Sequence, residues 1–245
     1  MDLVLSIFPG IGLLDRAFEE EGFCVVRGPD LLWGGDVKHF HPPAGKFSGV
    51  IGGPPCQSHS KWADVNRAIG NTIAEDLLPE YKRVVFAADP DWWLLENVPN
   101  IPDVEMYGYV TARRELDLRW LGHPQSRLRS FQFGTRSGLE LHPEIAVFEH
   151  PELEPACLAS EGKSGQISNS KKNGKQRSIY HRRRDFGKFC ELQGLPANFL
   201  EDSPFAQSEK YRVVGNGVPL PMGRAIARAV KQALELEAVA GLEGV

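Results

Sequence analysis

Gly52-Gly53-Pro54-Pro55-Cys56-Gln57 follows directly on the apolar run Phe47-Ser48-Gly49-Val50-Ile51, which reads as a buried strand. Each proline fixes φ and lacks an amide hydrogen, so the chain must leave the sheet there in a stiff turn. Cys56 is then held at the tip of that turn, just beyond a strand end. In open α/β sheets, strand ends are where ligands bind. Taken alone, such a cysteine can equally be an inert thiol packed beside a turn.

The rest of the chain supplies the sheet. Leu3 to Phe8 is an apolar run, Pro9-Gly10-Ile11-Gly12 a turn, and Leu13 to Phe18 has helical spacing of apolar positions. Phe23 to Val26 reads as a second short strand. Ser58 to Asn71 is a polar loop, and a helix is expected over Thr72 to Ala88, kinked near Pro79. Trp92-Trp93-Leu94-Leu95 is another buried strand ending in Glu96-Asn97-Val98, and Ser130 to Phe133 a further one. Strands alternating with helices imply a doubly wound, mostly parallel α/β sheet with helices on both faces. A final helix is expected from Pro221 onward, with Ile226, Val230 and Leu234 on one face.

The pattern lapses after Gly134, and charge then separates. Between Arg136 and Glu161 the acids are Glu140, Glu144, Glu149, Glu152, Glu154 and Glu161 against one base. From Lys163 to Lys188 the balance reverses, with Asp185 the single acid. Gly-Lys-Ser-Gly and Lys-Lys-Asn-Gly-Lys within the basic stretch read as flexible loop. The expected organisation is a large domain over 1–134, a small, mostly irregular module over 135–205, and a segment 206–245 returning to the large domain.

Global charge is −4 over 245 residues, so the whole chain carries no nucleic-acid signature. Cys24, Cys56, Cys157 and Cys190 are scattered, with no Cys-x-x-Cys pair, which argues against a zinc site or disulfides and for a reducing compartment. Met1-Asp2-Leu3 is not a basic leader, and no apolar run reaches membrane-span length. A soluble cytoplasmic protein without membrane contact is expected.

Three further clusters carry chemistry. Phe8-x-Gly10-x-Gly12 closes a strand, where glycines let backbone amides approach a ligand. The third glycine of a dinucleotide fingerprint is absent, which disfavours NAD and leaves room for an adenosine cofactor without a pyrophosphate. Glu96 sits at a strand end after four apolar residues, a position that can raise a carboxyl pKa far enough for proton donation. In Gln125-x-Arg127-x-Arg129, alternation sends both arginines to one face.

Phe8-Pro9-Gly10-Ile11-Gly12, Pro55-Cys56-Gln57, Glu96-Asn97-Val98 and Gln125-x-Arg127-x-Arg129 resemble the signature motifs of the DNA (cytosine-5) methyltransferases, in the family's order. Leu192-Gln193-Gly194-Leu195-Pro196 and Tyr211 to Pro219 look like its two late motifs. The resemblance spans nearly the whole chain outside the acidic-then-basic stretch. It implies a Rossmann-like sheet, S-adenosylmethionine as cofactor with S-adenosylhomocysteine as product, no metal, and double-stranded DNA as substrate. A compact prokaryotic or phage enzyme is implied, a monomer that is either the partner of a separately encoded restriction endonuclease or a stand-alone modifier.

The resemblance also implies roles. Cys56 would be the nucleophile at cytosine C6, Glu96 the acid at N3, Arg129 the ligand of O2, and Arg127 the support of the loop around Cys56. Phe8 would lie on the adenine. Pro9, Gly10, Ile11, Gly12 and Leu13 would surround the amino-acid end, with Asp36 and Val37 at the adenine edge. Gly53 and Pro55 would line the same pocket, and Asn216, Gly217 and Val218 would close it. Gln57, Ser58, Ser60, Lys171, Lys172, Lys175 and Arg177 would face DNA.

Some positions depart from the family. Gly28-Pro29 stand where a ribose-binding acid is usual, leaving Asp30 as the candidate. The Leu31-to-Gly35 link is too short for a customary helix, His59 replaces an aromatic, and Gly187-Lys188 replace Arg-Glu. An RNA-acting enzyme of the same fold is the first rival, disfavoured by the lack of a late Cys-Phe-Thr. A DNA-binding protein that has lost turnover is the second, disfavoured by the intact Cys56, Glu96 and Arg129.

Overall fold

The computed structural model describes residues 2–55, 75–146, 153–162, 167–172, 175–180 and 184–243. Strand β1 (Leu3–Ile7) leads through a glycine turn into α1 (Leu13–Glu20), and β2 (Cys24–Arg27) follows. Two short 3₁₀ turns (Leu31–Trp33 and Val37–His39) precede β3 (Gly49–Gly52). Then come α2 (Leu78–Ala88), β4 (Trp92–Asn97), β5 (Val110–Asp117) and β6 (Leu128–Thr135). The remainder is β7 (Ile167–Lys172), β8 (Lys175–Tyr180), α3 (Phe186–Leu192), α4 (Gln207–Asn216) and α5 (Leu220–Glu243).

Six strands form one sheet in the order β2-β1-β3-β4-β6-β5. The first four are parallel, while β6 runs antiparallel to both β4 and β5. The parallel sheet expected from the sequence is thus extended by an antiparallel pair. β5 escapes a sequence reading because Val110-Thr-Ala-Arg-Arg-Glu-Leu-Asp117 is an edge strand with one solvated face and little apolar alternation. Chain direction makes β1 and β3 the switch point, because the chain leaves β1 toward β2 and returns on the other side to form β3.

Alternation along the inner strands divides the core. Val4, Ile51, Trp92 and Leu94 pack with Phe18 of α1 and with Met222, Ile226 and Val230 of α5. Leu5, Ile7, Val50, Trp93 and Leu95 pack on the other face with Tyr81, Val84 and Val85 of α2. Successive side chains point to opposite faces, so a two-sided sheet needs apolar residues at every position. A third cluster joins α3 and α4 to Leu13 and Ala17 of α1, and includes Cys157. Leu139 and Leu141 pack into the α5 side. Both flanks of the 135–205 stretch therefore share cores with the large domain.

Two local readings change. α2 begins at Leu78, with Pro79 in its first turn, where a missing amide costs nothing; no kink results. Asp76 accepts from the Leu78 amide at 3.0 Å, and residues 72–74 of the expected helix lie outside the described residues. In the basic stretch, where loop was expected, β7 and β8 pair antiparallel from Ile167↔Tyr180 to Lys172↔Lys175. In sequence the two strands are separated by Asn173-Gly174, the dipeptide favoured by tight hairpins.

Two tryptophans on β4 fix which residues stand opposite them. Trp92 is paired with Gly49 and Trp93 with Gly134. A Cβ on Gly49 would lie 2.2 Å from the Trp92 ring, and one on Gly134 would lie 2.1 Å from that of Trp93. Neither indole can retreat, because both are buried. Gly134→Ala is expected to lower unfolding free energy by about 1–3 kcal/mol, the usual cost of overpacking a dense core, measured by urea denaturation.

Candidate active site

β1 delivers Phe8 into a loop whose backbone is left-handed at Phe8, Gly10 and Gly12 (φ 57°, 56° and 76°). That conformation costs a non-glycine residue about 1–3 kcal/mol, so surrounding bonds must hold Phe8 there. They do so through Gly10. Its amide donates to Asp30 Oδ2 at 2.8 Å, and its carbonyl accepts from Trp33 Nε1 at 2.7 Å. Asp30 Oδ1 accepts from the Leu32 amide at 2.8 Å. Asp30, expected at the ribose, thus already ties the turn after β2 to the glycine loop.

Beneath this loop lies a buried acid. Asp15 Oδ1 accepts from Ser6 Oγ at 2.5 Å, and Arg27 Nε lies 2.9 Å from Oδ2. Burial raises the Asp15 pKa, against the pull of Ser6 and Arg27. The Arg27 guanidinium covers Gly12, where a Cβ would lie 2.7 Å from Nη2. Gly12 therefore caps α1 and admits Arg27.

Outside the carboxyl ends of β1, β3 and β4 opens a cavity of about 480 Å³. Of the residues expected at a cofactor, Phe8, Pro9, Gly10, Ile11, Leu13, Asp30, Asp36, Val37, Gly53, Pro55, Asn216, Gly217 and Val218 line it, as do Glu96, Arg127 and Arg129. Leu31, Leu32, Leu77, Arg212 and Val213 also line it and were not anticipated. Leu31 is 72% exposed while Leu32 packs against the third core cluster, and an apolar pair directly after Asp30 was the available signal. Asp36 is occupied locally, its Oδ1 accepting from the Lys38 amide at 3.0 Å.

Glu96 and Arg129 meet because β6 is antiparallel to β4. The register Asn97↔Ser130 brings the start of one strand to the end of the other. Arg129 Nε lies 3.1 Å from Glu96 Oε1. Burial pushes the Glu96 carboxyl above its ordinary value, while Arg129 and Arg127 pull it back. A Cβ on Gly53 would stand 2.8 Å from Glu96 Oε2, so glycine there leaves the second carboxylate oxygen its space. Asn97 Nδ2 donates to the Pro54 carbonyl at 3.0 Å, pinning the chain two residues before Cys56. The guanidinium of Arg127 is buried and donates to the carbonyls of Cys157 (2.9 Å), Gly215 (3.0 Å) and Gly217 (3.1 Å).

Cys56, Gln57, Ser58 and Ser60 lie outside the described residues. Lys171, Lys172, Lys175 and Arg177 fall on β7 and β8, whose backbone alone is described. Burial pushes the Cys157 thiol up to about 12 and that of Cys190 up to about 11, so neither supplies a thiolate near neutral pH. Cys24 begins β2, at the end of the strand away from the cavity. Among the described residues no group of three or more His, Cys, Asp or Glu is placed to hold a metal, and no helix is long and apolar enough to cross a membrane.

Comparison with known proteins gives this geometry a family. Among solved structures, the Entamoeba histolytica methyltransferase EhMeth superposes with a TM-score of 0.66 at 14% identity, covering 96% of this chain and 99% of that one. The S. pombe Dnmt2 methyltransferase gives 0.56 at 14% identity, over 96% and 99%. The fold is thus the Rossmann-like one of these methyltransferases.

Residues 35–185 match the family described as C-5 cytosine-specific DNA methylase, and the chain belongs to it. The Type II methyltransferase M.MthTI of Methanothermobacter thermautotrophicus is 24% identical over 95% of this chain and 98% of its own length. That alignment runs over 330 positions against a chain of 245, so it needs long gaps. The Type II methyltransferase M.FnuDI of Fusobacterium nucleatum is 29% identical over 60% of this chain, which spans about half (50%) of the relative. The protein is a DNA (cytosine-5) methyltransferase, and its family implies S-adenosylmethionine as methyl donor.

The Glu96 environment makes a prediction for stability. With its folded pKa raised above 4.5, Glu96 binds its proton more tightly in the native state than in the unfolded one. Its contribution is fully present below the unfolded value and is lost as pH rises through the folded one. Glu96→Gln should therefore gain stability relative to the wild type between about pH 4 and about pH 8. Urea unfolding at both pH values checks this, and the comparison cancels Asp15, which both proteins carry.

Proposed function

We propose that the protein methylates C5 of a cytosine flipped out of double-stranded DNA, through a covalent bond between Cys56 and C6. The observation that carries this reading is the Glu96–Arg129 pair in the cavity wall, beside the Pro54-Pro55 turn that leads to Cys56. The cavity suits the cofactor. Its volume lies within the ordinary range for small-molecule sites. Phe8, Val37, Leu77 and Val218 give it apolar walls for an adenine, with polar backbone at the glycine loop. S-adenosylmethionine, when bound, supplies an electrophilic methyl on a sulfonium.

The chain's own residues do the rest. C5 of cytosine is too weak a nucleophile until a thiolate adds at C6. As the Cys56–C6 bond forms, the Glu96 proton passes to N3, and the ring electrons collect at C5 as an enamine. A burial-raised Glu96 pKa keeps that proton available, and the Arg129 guanidinium faces O2. Once C5 carries the methyl group, a base removes the C5 proton, the thiolate leaves, and N3 returns its proton. The target atom is stacked inside a duplex, so the base must leave the stack first.

DNA contact is assigned to the β7–β8 hairpin, where Lys171, Lys172, Lys175 and Arg177 would meet phosphates and Asn169, Ser170, Asn173 and Gln176 would approach bases. With room for few base-reading side chains, a site of about two to four base pairs follows. Its role would be that of a modification enzyme of a restriction system or of a stand-alone modifier.

Two experiments test the reading. Cys56→Ala should abolish methylation while S-adenosylhomocysteine still binds, and wild-type protein should form a denaturant-resistant adduct with 5-fluorocytosine DNA. Absence of that adduct on a denaturing gel would exclude covalent attack. Neutralising Lys171, Lys172, Lys175 and Arg177 should flatten the salt dependence of DNA affinity by roughly one unit of slope per lost phosphate contact. A fluorescence-anisotropy series in potassium chloride reads this, and an unchanged slope would move the phosphate contacts elsewhere.

A further inference from the structure

The hairpin leaves and rejoins the body at a neck formed by the 3₁₀ turn Ala159–Gly162 on one side and Arg184 on the other. The side chains of Arg184 and Glu161 are both largely buried, 17% and 16% exposed, and Arg184 Nη1 donates to Glu161 Oε1 at 2.8 Å. Arg184 Nη2 also donates to the Pro155 carbonyl at 2.8 Å, and its own carbonyl accepts from Tyr211 Oη at 2.6 Å. Glu161 Oε1 further accepts from the Leu158 amide at 3.2 Å, while buried Oε2 has no partner among the described residues. A buried carboxylate so incompletely satisfied depends on the cation beside it.

This clasped neck lies on α4 with almost no side chain between them. A Cβ on Gly162 would stand 2.6 Å from the Ser208 carbonyl oxygen, in the first turn of α4. A Cβ on Gly215, in the last turn, would stand 2.7 Å from the Ala159 amide nitrogen. Backbone meets backbone at both ends, so the neck cannot shift without carrying α4 along. The end of α4 is in turn cavity wall, through Val213, Gly215 and Asn216. Arg127 joins the same parts again, holding Cys157 beside the neck and Gly215 and Gly217 in the wall.

We propose that Arg184 and Glu161 are positioning residues for the cofactor cavity, clasping the hairpin neck onto α4 and so fixing the wall built from the end of that helix. Neither residue lines the cavity, so both act through the backbone they hold. The inference rests on the reading that S-adenosylmethionine occupies this cavity.

The test is calorimetric titration of S-adenosylhomocysteine into the full chain without DNA. It compares wild type with Glu161→Gln, Arg184→Lys and Gly162→Ala, and with Arg136→Gln, which removes an exposed ion pair to Asp89, as control. The three neck variants should bind roughly 3- to 30-fold more weakly, the range expected when a residue acts on a site through intervening structure. KM for S-adenosylmethionine should rise by the same factor, with kcat at saturation within about twofold of wild type and the control unchanged. Glu161→Gln keeps every Arg184 contact to backbone, so it serves where Arg184→Lys fails to fold. Three neck variants with wild-type affinity would overturn the proposal. So would a fall in binding stoichiometry at unchanged affinity, the mark of plain unfolding. Wild-type protein that binds no S-adenosylhomocysteine would instead overturn the cavity reading, and this inference with it.

Discussion

A guanidinium taken out of water needs acceptors to replace its hydration, and Arg127 finds three backbone carbonyls on two separate stretches of chain. Arginine suits the task because its donors spread in a rigid fork that can reach several acceptors at once. One arm reaches Cys157, and the other reaches Gly215 and Gly217. Gln125, two residues earlier, accepts from the Cys157 amide at 2.9 Å and donates to the Leu192 carbonyl at 2.6 Å. Gln193 donates to the Val214 carbonyl at 2.7 Å. A single short stretch before β6 thus joins three distant stretches, and Gly215 and Gly217 of the cavity wall are bonded to it directly.

The electrostatics of the cavity follow from the same placement. Arg129, two residues on, reaches Glu96, and both arginines draw that carboxyl's pKa down while burial drives it up. The opposition leaves the carboxyl raised, but by less than burial alone would raise it. Burial alone favours the protonated carboxyl, and the arginines alone favour the ionised one.

Much of this was legible in the sequence, for reasons that can be traced to particular residues. β1, β3 and β4 read as strands because burial on both faces demands continuous apolar runs. The glycine loop and Glu96 could be placed because strand ends are where such residues can act. Asp30 was legible only as an acid near the right place. Its two amide partners come from Gly10 and Leu32, and no spacing rule joins residues 10 and 30. β5 was missed because an edge strand with a solvated face carries weak periodicity. Arg127 stood out by its motif, yet its partners lie 30, 88 and 90 residues away, a separation that no local pattern encodes.

The antiparallel direction of β6 has a consequence for how the protein is made. β6 brings Arg127 and Arg129 to the cavity early in the chain, but two of Arg127's three acceptors, together with α5, arrive almost a hundred residues later. On a ribosome, a chain that has emerged only through the hairpin holds a buried cation without most of its ligands, and a sheet whose α1 face lacks its covering helix. Such a chain has Glu96 and Arg129 in hand but lacks Val213, Gly215, Asn216, Gly217 and Val218 of the cavity wall. The cavity is thereby closed by residues that are synthesised well after the ion pair in its wall.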